Sequence, residues 1–215
     1  EVIKGQYIDR MRRRFDRPPG AVRVLADHVL RGDHPRLGHV TSRVEIEALT
    51  PADVRRVLDR YLGTENMYVT ATGDFEKAAL LGKIEAAFSG WKRSAESERV
   101  WITRPPVQRP GVFIVEKDIP QPAISFVQEL SIDRTASPQE HAAIEILNEI
   151  LGGSGFRSRL MERIRSDEGL TYGISSRLGH DQRAGVPGQF SISYQTRREA
   201  AGHSIAAVLE EVEKI

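Results

Sequence analysis

Three closely spaced prolines, Pro105, Pro106 and Pro110, limit what this chain can fold into more than any other feature. Each ring fixes φ and removes a backbone donor, so no continuous helix can run through Lys92–Pro110. The serines and charges of the same stretch offer little to a core. The chain should therefore divide there. We read residues 1–93 as one part, 94–110 as a linker and 111–215 as a second part.

The 215 residues carry 31 Lys plus Arg against 30 Asp plus Glu, and 40% are hydrophobic, a balance that excludes disorder and collagen and fits a soluble globular protein. A net charge of +1 provides no bulk field toward nucleic acid or an anionic membrane. Without cysteine there is no disulfide, Cys-ligated zinc or Cys nucleophile, and the redox compartment stays open. Apolar runs such as Val112-Phe113-Ile114-Val115 fall far short of the ~20 residues of a membrane span. The opening Glu1-Val2-Ile3-Lys4 has neither an initiator Met nor a leader pattern and reads as an excised piece. Bacterial periplasm and cytoplasm both suit such a chain.

Apolar spacing predicts helices over Val2–Phe15, through Val22, Leu25 and Val29 up to Gly32, and over Pro51–Leu62. The last of these opens on Thr50-Pro51-Ala52-Asp53, an N-cap, a first-turn proline and an acid. Residues Arg36–Leu49 read as loop. Met67–Thr72 alternates like a strand, and Leu80, Leu81, Ile84 and Phe88 restore a helix, with Trp91 packing back on it. In the second part, Gly111–Lys117 and Ala123–Leu130 read as an antiparallel strand pair. Ser137-Pro138-Gln139-Glu140 caps a helix with Ile144, Leu147 and Leu151 inward and His141, Glu145, Asn148 and Glu149 outward. A helix over Phe156–Asp167, strands over Leu170–Arg177 and Gln189–Thr196, and a helix over Glu199–Ile215 with Ile205, Val208, Leu209 and Val212 inward complete a ββααββα order. That order describes an α+β fold, antiparallel sheet with helices on one face.

A helical zinc pair needs two His three or four residues apart, whereas successive His here lie 6, 5, 102, 39 and 23 apart. That chemistry is absent from the chain. His141 and Glu145 share the solvated stripe of their helix and read as a surface pair. Gly152-Gly153-Ser154-Gly155 lacks the Lys-Ser/Thr ending and preceding strand of a phosphate loop, and Phe156 stands where a nucleophile elbow needs its last glycine. It reads as an interhelical hinge or, alternatively, as a substrate-contacting loop. The five arginines of Arg10–Arg17 sit on a helix with an apolar stripe, with no aromatic platform or second basic cluster beside them, and read as a solvated helix face.

The segment from Leu160 to Tyr172 differs. Arg165 falls in a helix's last turn, Gly169 can reverse the chain, and Tyr172 enters a strand, so a planar cation and a phenol flank one corner. Asp167 and Glu168 oppose the helix dipole there, a cost that Arg163 and Arg165 offset. Either the Arg and Tyr merely pack, or they are presented to a ligand; the residues alone leave both open.

At this corner the sequence resembles the M16 (insulinase, pitrilysin, mitochondrial processing peptidase) family. The likeness runs through Leu49-Thr50-Pro51-Ala52-Asp53-Val54, Tyr61, Asn66-Met67 and Gly73-Asp74-Phe75. It continues through Ile150-Leu151-Gly152-Gly153, Ser158-Arg159-Leu160 and Arg165 to Gly169-Leu170-Thr171-Tyr172. The resemblance implies two related sheet-and-helix half-domains, truncated here, forming a lobe of a clam-shell around a peptide. It implies a noncatalytic lobe, because the inverted His-x-x-Glu-His zinc motif is missing. Arg165 and Tyr172 match the family's catalytic support pair, which holds the substrate and donates to the oxyanion. Gly152, Gly153 and Gly155 match its glycine-rich substrate loop. Near Asp16-Arg17-Pro18 the family's third zinc ligand is replaced by Asp9 or Arg10, and neither is read as a ligand. The resemblance implies no metal in this chain, zinc on a partner lobe or subunit in a hetero- or homodimer, and a peptide substrate. Two alternatives stand beside it: the later part of a self-sufficient zinc metalloendopeptidase with its motif upstream, and a purely structural assembly subunit.

Overall fold

The computed structural model describes residues 1–32, 39–64, 67–92, 110–130, 137–179 and 188–215. Two compact units result, Glu1–Thr41 with Trp101–Ile215, and Ser42–Val100. Of the segment 94–110 read as a linker, all but Pro110 lies outside the described residues.

The larger unit contains helices α1 (Val2–Asp16) and α2 (Pro18–Arg31), strand β1 (Ala123–Leu130) and helix α6 (Pro138–Asn148). It continues with β2 (Thr171–Gly179), β3 (Gly188–Thr196) and α7 (Ala201–Glu213). Pro18 and Pro19 open α2 at positions that need no amide bond, and Gly32 closes it at φ 54°. Strand order is β1-β3-β2, antiparallel throughout, so the long crossover from β1 to β2 through α6 and the short turn from β3 into α7 bring helices onto the sheet. Register aligns Ile124 with Tyr194 and Ile174, and Phe126 with Ile192 and Ser176. Those residues share one face because strand side chains alternate. Against that face pack Leu151, Leu160, Met161, Ile164, Ala207 and Val208, the core of the unit.

The α+β class with helices on an antiparallel sheet is what forms. Several elements differ from the sequence reading. Gly111–Lys117 is not a strand: Val112 and Ile114 are exposed, and β1 takes β3 as its partner. Alternation supplies propensity, but a strand also needs a neighbouring edge. On α6 the half-buried line is His141, Ile144 and Asn148, continued by buried Leu151 in the turn after it, while Leu147 is exposed. His141 and Asn148, read as outward, lie on this line, and Asn148 Oδ1 accepts a 2.9 Å bond from Ser176 Oγ. On α7 the buried residues are Ser204, Ala207, Val208 and Glu211, whereas Ile205 and Leu209 face outward. The segment after α6 winds as a π turn over Glu149–Gly153, a 3-10 turn over Gly155–Arg157 and a π helix over Met161–Asp167.

The smaller unit holds α3 (Arg43–Ala48), α4 (Pro51–Tyr61) and α5 (Lys77–Phe88). Helix α3 lies within the stretch read as loop; Ser42 and Glu45 form a capping box that starts it. Thr50 and Asp53 do the same for α4, and the bonds from Thr50 lower the Asp53 pKa. Met67–Thr72 pairs with no strand among the described residues. Trp91 meets Phe88 edge to face, with ring centroids 5.2 Å apart.

Candidate functional site

The π helix ends on Gly169, whose φ of +61° only a glycine adopts without strain. Two bonds close it, Gly169 N–H to Arg165 O at 3.1 Å and Leu170 N–H to Ile164 O at 2.9 Å. Each reaches one residue further than in a cap on an α-helix, as the wider winding requires. The far side of the corner is tied to β3: Thr196 Oγ1 donates to Leu170 O at 2.6 Å, and Thr171 Oγ1 donates to Gln195 O at 2.6 Å. The ladder is irregular between Thr171 and Ile174, and there Tyr172 turns outward to 92% exposure.

Across this corner the Arg165 guanidinium carbon lies 5.5 Å from the centroid of the Tyr172 ring and 4.7 Å from that of Phe156. The two residues paired in the sequence are thus neighbours in space. Arg165 does not offset the helix-terminal acids. Glu168 is engaged by Arg163 Nε at 2.6 Å, an ion pair without hydrogen-bond alignment, and by His203 Nε2 at 2.7 Å. No acceptor is bound to Arg165 among the described residues.

The glycines before the corner serve different ends. Gly152 is buried against β2, and a Cβ there would lie 2.5 Å from Ser176 N. Gly153 is exposed, with the ends of the Asn148 and Glu149 side chains nearby. Gly155 is exposed, takes φ +67° and has open space around its α-carbon. Phe156, which follows it, is the site residue that sequence reasoning missed. Its signal was a bulky ring directly after a glycine hinge.

On the sheet face opposite the core, a cleft of about 1230 Å³ opens beside Tyr172. Ser175, Ser191 and Ser193 line its floor, and Arg23 and Asp27 of α2 stand on its other side. Among the described residues, no group of three or more His, Asp or Glu side chains could hold a metal. The corner itself presents hydrogen-bond donors and ring faces, a donor set suited to a carbonyl or carboxylate and not to a cation.

A family model described as the peptidase M16 inactive domain matches residues 48–215. No curated protein matches the sequence. Among solved structures, a peptidase M16 inactive domain from Pseudomonas fluorescens is 26% identical, with a TM-score of 0.82 over 99% of this chain and 50% of that one. A conserved protein from Enterococcus faecalis V583 shares 15% identity and a TM-score of 0.63, covering 98% of this chain and 48% of its own. The periplasmic protease PqqL from Escherichia coli shares 14% identity and a TM-score of 0.65, covering 99% of this chain and 23% of its own. The chain thus spans half or less of the length of these three proteins. No helix among the described residues is long and apolar enough to cross a membrane.

Proposed function

The chain belongs to the peptidase M16 inactive-domain family, and from that premise we propose that it binds an extended peptide and supports cleavage at a zinc site on another lobe or subunit. The observation that carries the reading is the Arg165–Tyr172 corner, held rigidly by Gly169 and the β2–β3 bonds, with no acceptor on the guanidinium among the described residues. Arg165 donates to the carbonyl of a bound peptide. The Tyr172 hydroxyl donates to the oxygen that becomes negative when that carbonyl is attacked. A metal ion on the facing lobe would supply the activated water; this chain's share is to hold and orient the carbonyl. Among the described residues strand β2 is an edge of the sheet, so its outer amides can take a peptide of any sequence as an added strand. Gly153 and Gly155 flank that path with little steric bulk, while Gly152 packs inward.

The test is binding of a short fluorescein-labelled unstructured peptide to the full chain by fluorescence anisotropy. Saturable binding that weakens by about tenfold or more in Arg165→Ala is expected, the loss of a charged hydrogen-bond donor. Absence of binding, or equal binding by the variant, would overturn the reading and leave a structural role.

A further inference from the structure

Phe156 is 73% exposed, yet its backbone is not loose. The 3-10 turn Gly155–Arg157 that carries it is closed by Ser158, whose N–H and hydroxyl both donate to Gly155 O, at 3.2 and 2.8 Å. Ser158 is fully buried, so the turn is anchored from inside the fold. A large apolar ring held outward on an anchored turn contributes little to the core. Among the described residues its ring is met by the Arg165 guanidinium, whose carbon lies 4.7 Å from its centroid.

Arg165 in turn has no hydrogen-bond or ion-pair partner among the described residues, and Phe156 and Tyr172 form no ring–ring pair there. The guanidinium is therefore what joins the two aromatics. A cation lying over ring faces keeps its in-plane N–H donors for an acceptor. A free arginine on a surface would sample many rotamers and lose that freedom on binding.

We infer that Phe156 is a positioning residue for Arg165: its ring holds the guanidinium at the corner before ligand arrives, with the donor edge open to a peptide carbonyl or carboxylate. The peptide part of this inference rests on the function proposed above; the positioning part does not. A flat π face is required, so tryptophan can replace phenylalanine and leucine, equally apolar, cannot.

Two readouts on the full chain test it. The Arg165 side-chain Nε–H resonance should be displaced by the Phe156 ring current, and the displacement should vanish in Phe156→Leu and persist in Phe156→Trp. Anisotropy with the same labelled peptide should show binding two- to five-fold weaker in Phe156→Leu, about the size of an exposed cation–π contact, and restored in Phe156→Trp. In an Arg165→Ala background, Phe156→Leu should add nothing. An unchanged Arg165 resonance in Phe156→Leu overturns the inference. So does a Phe156→Leu loss that persists without Arg165, since Phe156 would then act alone. If Arg165→Ala leaves peptide binding unchanged, the proposed function falls and the resonance alone decides the positioning role.

Discussion

Gly152 and Ser176 meet backbone to backbone: a Cβ on Gly152 would sit 2.5 Å from the Ser176 amide nitrogen and 2.6 Å from its hydroxyl. The π turn after α6 and strand β2 are pressed together there, and Ser176 uses the contact to reach Asn148 O and Oδ1. Gly152→Ala must push the turn off the strand, which should cost about 1–3 kcal/mol. Gly153→Ala meets side-chain ends and no backbone, the Glu149 carboxylate and the Asn148 amide that Ser176 holds, and should cost less than Gly152→Ala. Urea unfolding of both variants checks this; equal midpoints would refute the close approach.

The same contact shows what was legible in the sequence. Gly152 was visible as a glycine before a helix, but which strand it touched was not, because Ser176 is 24 residues away and reached only through the sheet register. Helices α1, α2, α4 and α5 follow from apolar spacing, with first-turn prolines on α2 and α4 and a capping box on α4, all of them local signals. Met67–Thr72 and Gly111–Lys117 fail as strands because pairing is non-local. Asn148 turned inward against its polarity once Ser176 offered a partner. The Arg165–Gly169–Tyr172 corner was legible because its parts lie within one turn, while Phe156 was not, since nothing local links it to Arg165.

Exposed Tyr172 separates function from stability. Tyr172 is 92% exposed, so Tyr172→Phe should leave the unfolding free energy from urea within about 0.5 kcal/mol of the parent. In an intact assembly that includes a zinc-bearing lobe, the same change should lower peptide turnover by roughly tenfold or more, the loss of an oxyanion donor. Parental kcat in Tyr172→Phe would remove the phenol from the reaction.

Tyr194 gives a pH dependence. Its hydroxyl lies 3.1 Å from Ser204 Oγ, and Ser204 donates its own proton to Ala201 O at 2.9 Å, so the tyrosine is the donor of this pair. Burial is the larger influence and raises the Tyr194 pKa from its ordinary 10.0; the Ser204 bond acts the other way. A raised folded-state value means that the native protein holds this proton more tightly than the unfolded chain. The stability it contributes is complete below pH 10 and is lost as pH climbs through the folded value. Urea midpoints should therefore fall above that pH, and Tyr194→Phe should reduce the slope while costing about 1 kcal/mol at neutral pH. An undiminished alkaline slope in Tyr194→Phe would assign it to other groups.

Glu211 is a carboxylate on the buried face of α7, with only 7% of its surface exposed. Arg159 Nε donates to it at 2.5 Å, and Lys214 Nζ lies 3.6 Å away from the same side chain. Removing Arg159 strands a mostly buried charge with one weaker partner, and because Arg159 is itself a third exposed the cost should be about 1–3 kcal/mol, below that of a fully buried pair. Replacing both, Arg159→Met with Glu211→Leu, removes the need for a partner and should be less destabilising than Arg159→Met alone. A double-mutant cycle by urea unfolding reads the difference directly. If the double variant is instead less stable than Arg159→Met, the ion pair is not what makes the single change costly.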